Sequence, residues 1–228
     1  MLKAIIFDLD GTLTDSDRVH FRVFQEIFAR HGIELDKKSY REKISGRQNA
    51  AILIDFLPDL PAAESEAFSA RKEATFRALA AGNLEPLPGL LDLLSQLKKQ
   101  GLAAAVVTNA PPENAAFMLS ELWLSEAFHP IIIGDELPRG KPDPLPYQTA
   151  LDKLGITADE AIAFEDSRAG ITSATAAGIK TIGMTTTHPS EELIAAGAAR
   201  TVADFTDPYI QTLLLSAELP AESSEPPA

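Results

Sequence analysis

Short apolar runs alternate with longer amphipathic stretches along most of the chain. Residues 3–8 (KAIIFD) form an apolar run that ends in acid, which is typical of a strand buried on both faces. Further strands are predicted over 102–107, 131–133, 161–164, 179–182 and 200–202. Helices are predicted between them, over 88–100, from Pro111-Pro112 onward, over 144–154 and over 168–177. This alternation predicts an α/β fold with a doubly wound, Rossmann-like parallel sheet.

The segment from residue 16 to residue 82 interrupts this alternation. Apolar residues recur there at helical spacing, beginning with Phe21 and Phe24, and Asp15 or Ser16 could cap the first helix. Further helices are predicted over 38–44, 48–57 and 62–80, and no strand is predicted in this segment. We therefore expect residues 16–82 to form an all-helical cap domain, inserted into a catalytic core made of residues 1–15 and 83–219.

Amino-acid composition excludes several kinds of site and of binding partner. The chain of 228 residues has no cysteine, which excludes disulfides, zinc–thiolate sites and thiol nucleophiles. Its net charge of −13 would repel nucleic acids and anionic lipids, so neither is an expected partner. No segment approaches the roughly 18 apolar residues of a membrane span, and a cytoplasmic location is expected. Residues 220–228 (PAESSEPPA) are polar and proline-rich, and are predicted to be disordered.

Polar and charged residues follow several of the predicted strands. In open α/β sheets, ligands bind beyond the carboxyl ends of the strands, so these residues should meet. They comprise two acidic pairs, one hydroxyl–amide pair and one lysine, namely Asp8 and Asp10, Glu165 and Asp166, Thr108 and Asn109, and Lys141. Their convergence is the main functional signal in the sequence.

Four short motifs carry these residues, and their order and spacing resemble those of the haloacid dehalogenase superfamily. They are FDLDGT at 7–12, TN at 108–109, GKPDP at 140–144 and EDS at 165–167. The helical insert resembles the cap of the group containing phosphoglycolate phosphatase and β-phosphoglucomutase. The runs SGRQNA (45–50) and VTNAPPENA (107–115) are most similar to sugar-phosphate and glycerol-phosphate phosphatases of that group.

The resemblance implies a phosphoryl-transfer site built on Asp8 and Asp10. Asp8 would be the nucleophile and would form an aspartyl-phosphate, while Asp10 would be the general acid–base. Mg²⁺ would be held by Asp8, Asp166 and the backbone carbonyl of Asp10, with Glu165 binding directly or through water. Asp166 could instead cap the helix that begins at Arg168, and capping is compatible with metal binding.

Three further core residues are expected to bind the phosphate. Thr108 would donate its hydroxyl and its backbone N–H, Asn109 would orient the phosphate oxygen or Asp8, and Lys141 would pair with the phosphate and Asp8. Thr108 could instead cap the helix that starts at the two prolines, and Lys141 could be a solvated loop lysine.

Substrate specificity is expected to come from four residues of the cap, namely His20, Gly46, Arg47 and Asn49. His20 resembles a cap histidine of β-phosphoglucomutase, but it also flanks an apolar stripe and could simply be packed. Arg47 could meet a polar group of the substrate or lie on the surface. Trp123, between two leucines, is predicted to pack in the core.

Several functions are compatible with these residues. The leading prediction is a Mg²⁺-dependent phosphatase, a monomer or weak dimer, that hydrolyses small phosphorylated sugars or polyols. A phosphosugar mutase would use the same core residues. A phosphonate hydrolase is disfavoured because it needs a cap lysine to form an imine, and none stands out in the sequence. A non-catalytic phospho-acceptor or phosphometabolite-binding module would need neither Asp10 nor the helical insert.

Overall fold

The computed structural model describes residues 1–218, and the side chains of residues 1–214. The predicted disordered tail, residues 220–228, lies outside the described residues. Six strands form one parallel sheet: β1 (Ala4–Phe7), β2 (Ala103–Thr108), β3 (Ile131–Ile133), β4 (Ala161–Glu165), β5 (Lys180–Met184) and β6 (Arg200–Val202). Their order is β3-β2-β1-β4-β5-β6, which confirms the predicted doubly wound sheet and places β6 at its edge.

The helices fall into two groups. Between β1 and β2 lie four helices that we call the cap: α1 (Asp17–Ala29), α2 (Lys37–Lys43), α3 (Asn49–Phe56) and α4 (Ala62–Ala80). The rest cover the sheet: α5 (Leu90–Gln100), α6 (Pro112–Glu121), α7 (Leu145–Leu154), α8 (Arg168–Ala176), α9 (Ser190–Ala195) and α10 (Pro208–Glu218). The sequence pattern did not predict α9 or α10, and α9 is too short to show a helical period. Within residues 1–218, no helix is long and apolar enough to cross a membrane.

β1 is the central strand of the sheet and positions the site. All four of its residues are buried, and it pairs with β2 on one side and β4 on the other. The Phe7 ring stacks on Phe164 at 5.6 Å and contacts Phe128 and Phe205 edge-on. Because the order of the strands reverses at β1, the loops that follow β1, β2 and β4 border one crevice.

Trp123 is the residue for which the packing prediction was wrong. Its side chain is 94% exposed, whereas its neighbours Leu122 and Leu124 are buried. α6 ends at Glu121, and Trp123 then takes a φ of 60°. This left-handed turn directs the two leucines into the core and the tryptophan outward.

The cap lies against the core over this crevice. Gln48 of the cap donates to Oδ1 of Asp135 in the core at 2.6 Å. Asn114 at the start of α6 donates to Oε2 of Glu73 in α4, also at 2.6 Å. A cavity of about 70 Å³ lies between cap and core, and all of the predicted site residues except Glu165 line it.

Candidate active site

The loop after β1 places Asp8 and Asp10 at the cavity. The amide of Asp8 continues the strand ladder by donating to the carbonyl of Phe164 at 2.9 Å. Gly11 then turns the chain with a φ of 73°, and a Cβ at this position would overlap the carboxylate of Asp166. A glycine is therefore required here both by the backbone conformation and by the close approach of Asp166.

Lys141 connects the loop after β3 to the ends of β1 and β4. Its Nζ donates to Oδ1 of Asp8 at 2.6 Å, to Oε1 of Glu165 at 2.6 Å and to the carbonyl of Val107 at 2.7 Å. Burial alone would lower the pKa of Lys141, but the two carboxylates raise it to about 12. Lys141 is thus a buried, charged partner of Asp8, which rules out the solvated-loop alternative.

Three buried carboxylates meet at this point. One oxygen from each of Asp8, Glu165 and Asp166 lies within 4.8 Å of the others. Burial raises the pKa of Asp8 well above its ordinary value, and so do the charges of Glu165 and Asp10, although Lys141 opposes them. Burial also raises the pKa of Asp166, together with the charges of Asp17, Asp8 and Glu165. A divalent cation would offset the electrostatic repulsion between these carboxylates, and their oxygen atoms are the kind of ligand that Mg²⁺ prefers.

Glu165 differs from the other two carboxylates because both of its oxygens accept hydrogen bonds, whereas Asp8 and Asp166 each accept a side-chain hydrogen bond on one oxygen. Oε1 accepts from Lys141 and from the hydroxyl of Tyr147 at 2.8 Å, and Oε2 accepts from Oγ of Ser167 at 3.2 Å. Asp8 and Asp166 are therefore better placed to bind a cation directly, with Glu165 behind them.

Asp10 is held by two residues at the entry to the cap. Oγ of Ser16 donates to Oδ1 of Asp10 at 2.6 Å, and Nε2 of His20 lies 3.1 Å from the same oxygen. Burial by itself would raise the pKa of Asp10, but His20, Ser16 and the charge of Lys72 outweigh burial and lower it. Ser16 precedes α1 as expected, yet its hydroxyl serves Asp10 and makes no capping bond.

His20 is packed within the cap and also contacts Asp10. Its ring stacks on Phe76 with centroids 3.8 Å apart and an interplanar angle of 2°, so it is packed. Its Nε2 nevertheless faces Asp10, and its buried Nδ1 has no hydrogen-bond partner among the described residues.

Thr108 ends β2 and Asn109 follows it, and both line the cavity together with Asp8. Oγ1 of Thr108 accepts from the amide of Ala110 at 2.9 Å, which leaves its hydroxyl hydrogen free to donate. Asn109 contacts Lys141 rather than Asp8. It accepts from the amide of Lys141 at 3.0 Å, donates to the carbonyl of Lys141 at 3.1 Å, and donates to the carbonyl of Gly46 at 3.0 Å. Asn109 thus fixes the lysine loop and joins it to the cap.

Gly46 lies at a close approach of cap and core. It has a φ of 73°, and a Cβ there would come within 2.5 Å of Oγ of Ser167. The other two predicted cap residues also line the cavity, but their side chains bind within the cap. Arg47 donates to Oδ2 of Asp55 at 2.7 Å, and Asn49 donates to Oε1 of Glu73 at 2.5 Å.

Lys72 and Glu73 of α4 were missed by sequence analysis. Both are buried, both line the cavity, and Nζ of Lys72 lies 2.9 Å from Oε1 of Glu73. The sequence showed no cap lysine of note because α4 is rich in charged residues, and nothing in its pattern marks the inward face. The ammonium of Lys72 is held by a carboxylate, which does not suit imine formation.

A further loop, which no motif marked, contacts Asp166 and the turn at Gly11. Oγ1 of Thr187 donates to Oδ2 of Asp166 at 2.5 Å, and Oγ1 of Thr186 donates to the carbonyl of Gly11 at 2.5 Å. The ring of His188 lies between the backbone carbonyls of Asp166 and Arg41, 3.1 Å from each. This loop follows β5, so it reaches the site only through the fold.

Known proteins are similar to this chain in sequence and in fold. Residues 5–184 match the family model described as haloacid dehalogenase-like hydrolase. The chain is 33% identical to validoxylamine A 7'-phosphate phosphatase of Streptomyces hygroscopicus subsp. limoneus, with 86% of this chain and 92% of the relative covered. It is 31% identical to the β-phosphoglucomutase of Bacillus subtilis, with 80% of this chain and 83% of that enzyme covered. A solved structure of CbbY from Rhodobacter sphaeroides with xylulose-(1,5)bisphosphate superposes with a TM-score of 0.80 at 30% identity. The match covers 91% of this chain and 96% of the CbbY chain.

Proposed function

Because the chain belongs to the haloacid dehalogenase-like hydrolase family, we propose that it is a Mg²⁺-dependent phosphatase for small phosphorylated sugars or polyols. The reaction would pass through an aspartyl-phosphate on Asp8. The observation that carries this proposal is the 2.6 Å contact between Nζ of Lys141 and Oδ1 of Asp8, within the carboxylate cluster of Asp8, Glu165 and Asp166.

The family and the relatives agree on the class of reaction. The chain is a phosphoric monoester hydrolase, so the non-catalytic phospho-acceptor or binding module is no longer a candidate. The names of its relatives refer to phosphorylated sugars and related polyols, which supports that substrate class here. They include both phosphatases and a mutase, so the family alone does not choose between the two.

In the first step, an oxygen of Asp8 attacks phosphorus and the bond between phosphorus and the ester oxygen breaks. Asp10 is ionised before the substrate binds because its pKa is lowered, so it must first take up a proton from solvent as the substrate enters; it then gives that proton to the departing alkoxide. Lys141 offsets the negative charge that gathers as the carboxylate and the phosphate approach each other. Thr108 supplies a hydroxyl to one phosphate oxygen, and Asn109 holds Lys141 in place.

In the second step, water attacks the phosphorus of the aspartyl-phosphate, and Asp10 takes a proton from it. The bond between phosphorus and the Asp8 oxygen breaks, which releases phosphate and restores the carboxylate. His20 and Ser16 hold Asp10 at the position where both transfers occur.

The carboxylates fit a bound Mg²⁺. Asp8 and Asp166 would hold the ion together with the backbone carbonyl of Asp10, and Glu165 would support them from behind. When bound, the ion supplies positive charge that screens the repulsion between the nucleophile and the phosphate.

A panel of phosphate esters assayed with Mg²⁺ and with EDTA tests the proposal. We expect phosphate release from p-nitrophenyl phosphate and from small sugar or polyol phosphates, and loss of release with EDTA that excess Mg²⁺ restores. Equal rates with and without the chelator would overturn the metal requirement. No release from any ester would overturn the assignment as a phosphatase.

A phosphosugar mutase is the second candidate, and the contact between His20 and Asp10 favours it, because His20 resembles the cap histidine of β-phosphoglucomutase. β-Glucose 1-phosphate supplied with catalytic glucose 1,6-bisphosphate separates the two. Formation of glucose 6-phosphate faster than release of inorganic phosphate would identify a mutase.

A further inference from the structure

The cap contributes two cations to the cavity, and each already has an acidic partner. Arg47 is the first. One of its terminal nitrogens lies 2.7 Å from Oδ2 of Asp55 and also donates to the carbonyl of Lys43, while the other donates to the carbonyl of Ala51. The guanidinium is therefore hydrogen-bonded within the cap, around the turn between α2 and α3, and the carboxylate of Asp55 balances its charge.

Lys72 is the second cation, and it is more deeply buried. Its Nζ lies 2.9 Å from Oε1 of Glu73 and 4.8 Å from the centroid of the Phe24 ring. Asn49 and Asn114 each donate to Glu73 as well. Burial would raise the pKa of Glu73, but Lys72, His20 and these hydrogen bonds lower it, so Glu73 is ionised opposite Lys72.

The described part of the core adds no unpaired cation to the cavity. Lys141 is the third cation lining it, and both Asp8 and Glu165 accept from this lysine. Among the described residues that line the cavity, each Lys or Arg thus lies within ion-pairing distance of a carboxylate. Five carboxylates line the same space, namely Asp8, Asp10, Asp17, Glu73 and Asp166.

We infer that the cap accepts a neutral, hydroxyl-bearing leaving group and discriminates against substrates with a second phosphoryl group. The inference rests on the proposed function and refines its substrate class. A second phosphoryl group would bring about 1.5 to 2 further negative charges into a cavity where the two cap cations that line it, Arg47 and Lys72, already have carboxylate partners. A charge that is removed from water without a partner is costly. Asn49 and Asn114 already donate to Glu73, but a neutral hydroxyl group can share or exchange these hydrogen bonds without leaving a charge unpaired.

Matched pairs of substrates that differ only in the second phosphoryl group test this inference. We would compare fructose 1-phosphate with fructose 1,6-bisphosphate, and glucose 6-phosphate with glucose 1,6-bisphosphate, all with Mg²⁺. The monophosphates are expected to have kcat/KM values at least about tenfold higher, which corresponds to about 1.4 kcal/mol. A bisphosphate used as well as or better than its monophosphate would overturn the inference.

Two substitutions test whether charge pairing is the cause. Asp55→Asn leaves Arg47 without its carboxylate, and Glu73→Gln does the same for Lys72, so each should shift the preference toward the bisphosphate by about tenfold. Asp59→Asn, at an exposed position near Asp55, should leave the preference unchanged. An unchanged preference in folded Asp55→Asn and Glu73→Gln proteins would also overturn the inference. Because Asp55 is half-exposed, its variant should fold even if the Glu73 variant does not.

Binding separates this inference from the proposed function. Isothermal titration of the same pairs into the Asp8→Asn protein with Mg²⁺ gives dissociation constants without turnover, and these should favour the monophosphate. If the wild-type protein hydrolysed no ester, the proposed function would fail, while the ratio of dissociation constants would still decide the inference.

Discussion

The hydroxyl of Thr187 lies 2.5 Å from Oδ2 of Asp166, although the two residues follow different strands. The same carboxylate approaches Gly11 so closely that no side chain would fit there. The carboxylate of Asp166 is therefore in contact with both the loop after β1 and the loop after β5. Partners of this kind orient a metal-binding carboxylate without touching the ion.

Thr187→Val should weaken Mg²⁺ binding by about 10- to 100-fold because it removes this hydrogen bond while keeping the shape of the side chain. The rise in melting temperature with added Mg²⁺ reports the affinity independently of turnover. Thr212→Val, an exposed position in α10, is the matched control and should bind Mg²⁺ as the wild type does. Wild-type affinity in the Thr187 variant would show that Asp166 needs no such support.

Asp8→Asn should abolish phosphate release from p-nitrophenyl phosphate, because a carboxamide is a poor nucleophile and leaves the phosphate without an acceptor. The same change at exposed Asp152 should have no effect on release. Turnover that survives in the Asp8 variant would mean that another residue is the nucleophile.

Asp10→Asn should slow the hydrolysis of different phosphate esters to different extents, depending on whether their leaving groups need a proton. A sugar or polyol alkoxide needs a proton in order to leave, whereas p-nitrophenolate leaves without one. We therefore expect the sugar or polyol esters to lose roughly 10²-fold or more in kcat, and p-nitrophenyl phosphate to lose less. Equal losses for both kinds of ester would argue against the acid role.

Gly46→Ala should impair closure of the cap. The new methyl group would meet Oγ of Ser167, and a displacement of about 1 Å at an active site costs up to about 10²-fold in rate. We expect kcat/KM for p-nitrophenyl phosphate to fall by about 10- to 100-fold.

Gly32→Ala is the matched control for this substitution. Gly32 is also in the cap and has nearly the same φ, 72° against 73°, but a methyl group at this position would have nothing within 4 Å. The variant should lose about 1 kcal/mol of stability through backbone strain and keep its activity. A similar loss of activity in both variants would attribute the effect to strain and not to contact with the core.

Glu73→Gln should destabilise the protein at neutral pH by about 2 kcal/mol, since it leaves the buried Lys72 without its carboxylate. The pKa of Glu73 lies below its ordinary value of 4.5 in the folded protein. Its contribution to stability is therefore present above about pH 4.5 and is lost as the pH falls through the folded pKa.

Urea unfolding of the wild type and the Glu73 variant at pH 7 and pH 4 checks this sign. The difference in the free energy of unfolding should shrink at the lower pH. Glu66→Gln, an exposed position in the same helix, should show little difference at either pH. A difference that grew on acidification would contradict the assigned direction of the pKa shift.

Apolar periodicity was enough to predict most of the elements. β3 and β6 have the predicted bounds, and α4 has the predicted 62–80 span. These elements were predictable because their apolar residues, which become buried on folding, recur in the sequence at the period of a strand or a helix. Periodicity failed for Trp123, since the direction of one side chain after a helix depends on the backbone turn.

The core of the site was also predictable, since Asp8, Asp166 and Lys141 follow strands whose carboxyl ends must meet at one edge of a parallel sheet. The sequence alone therefore determined the family, the sheet and the charged residues at its edge. Only the tertiary structure decided which side chains are partnered, such as Asn109 with Lys141, Thr187 with Asp166, and Lys72 with Glu73. Those partners depend on how separate loops and the cap pack in space, and no periodic pattern along a single chain encodes a distance between two loops.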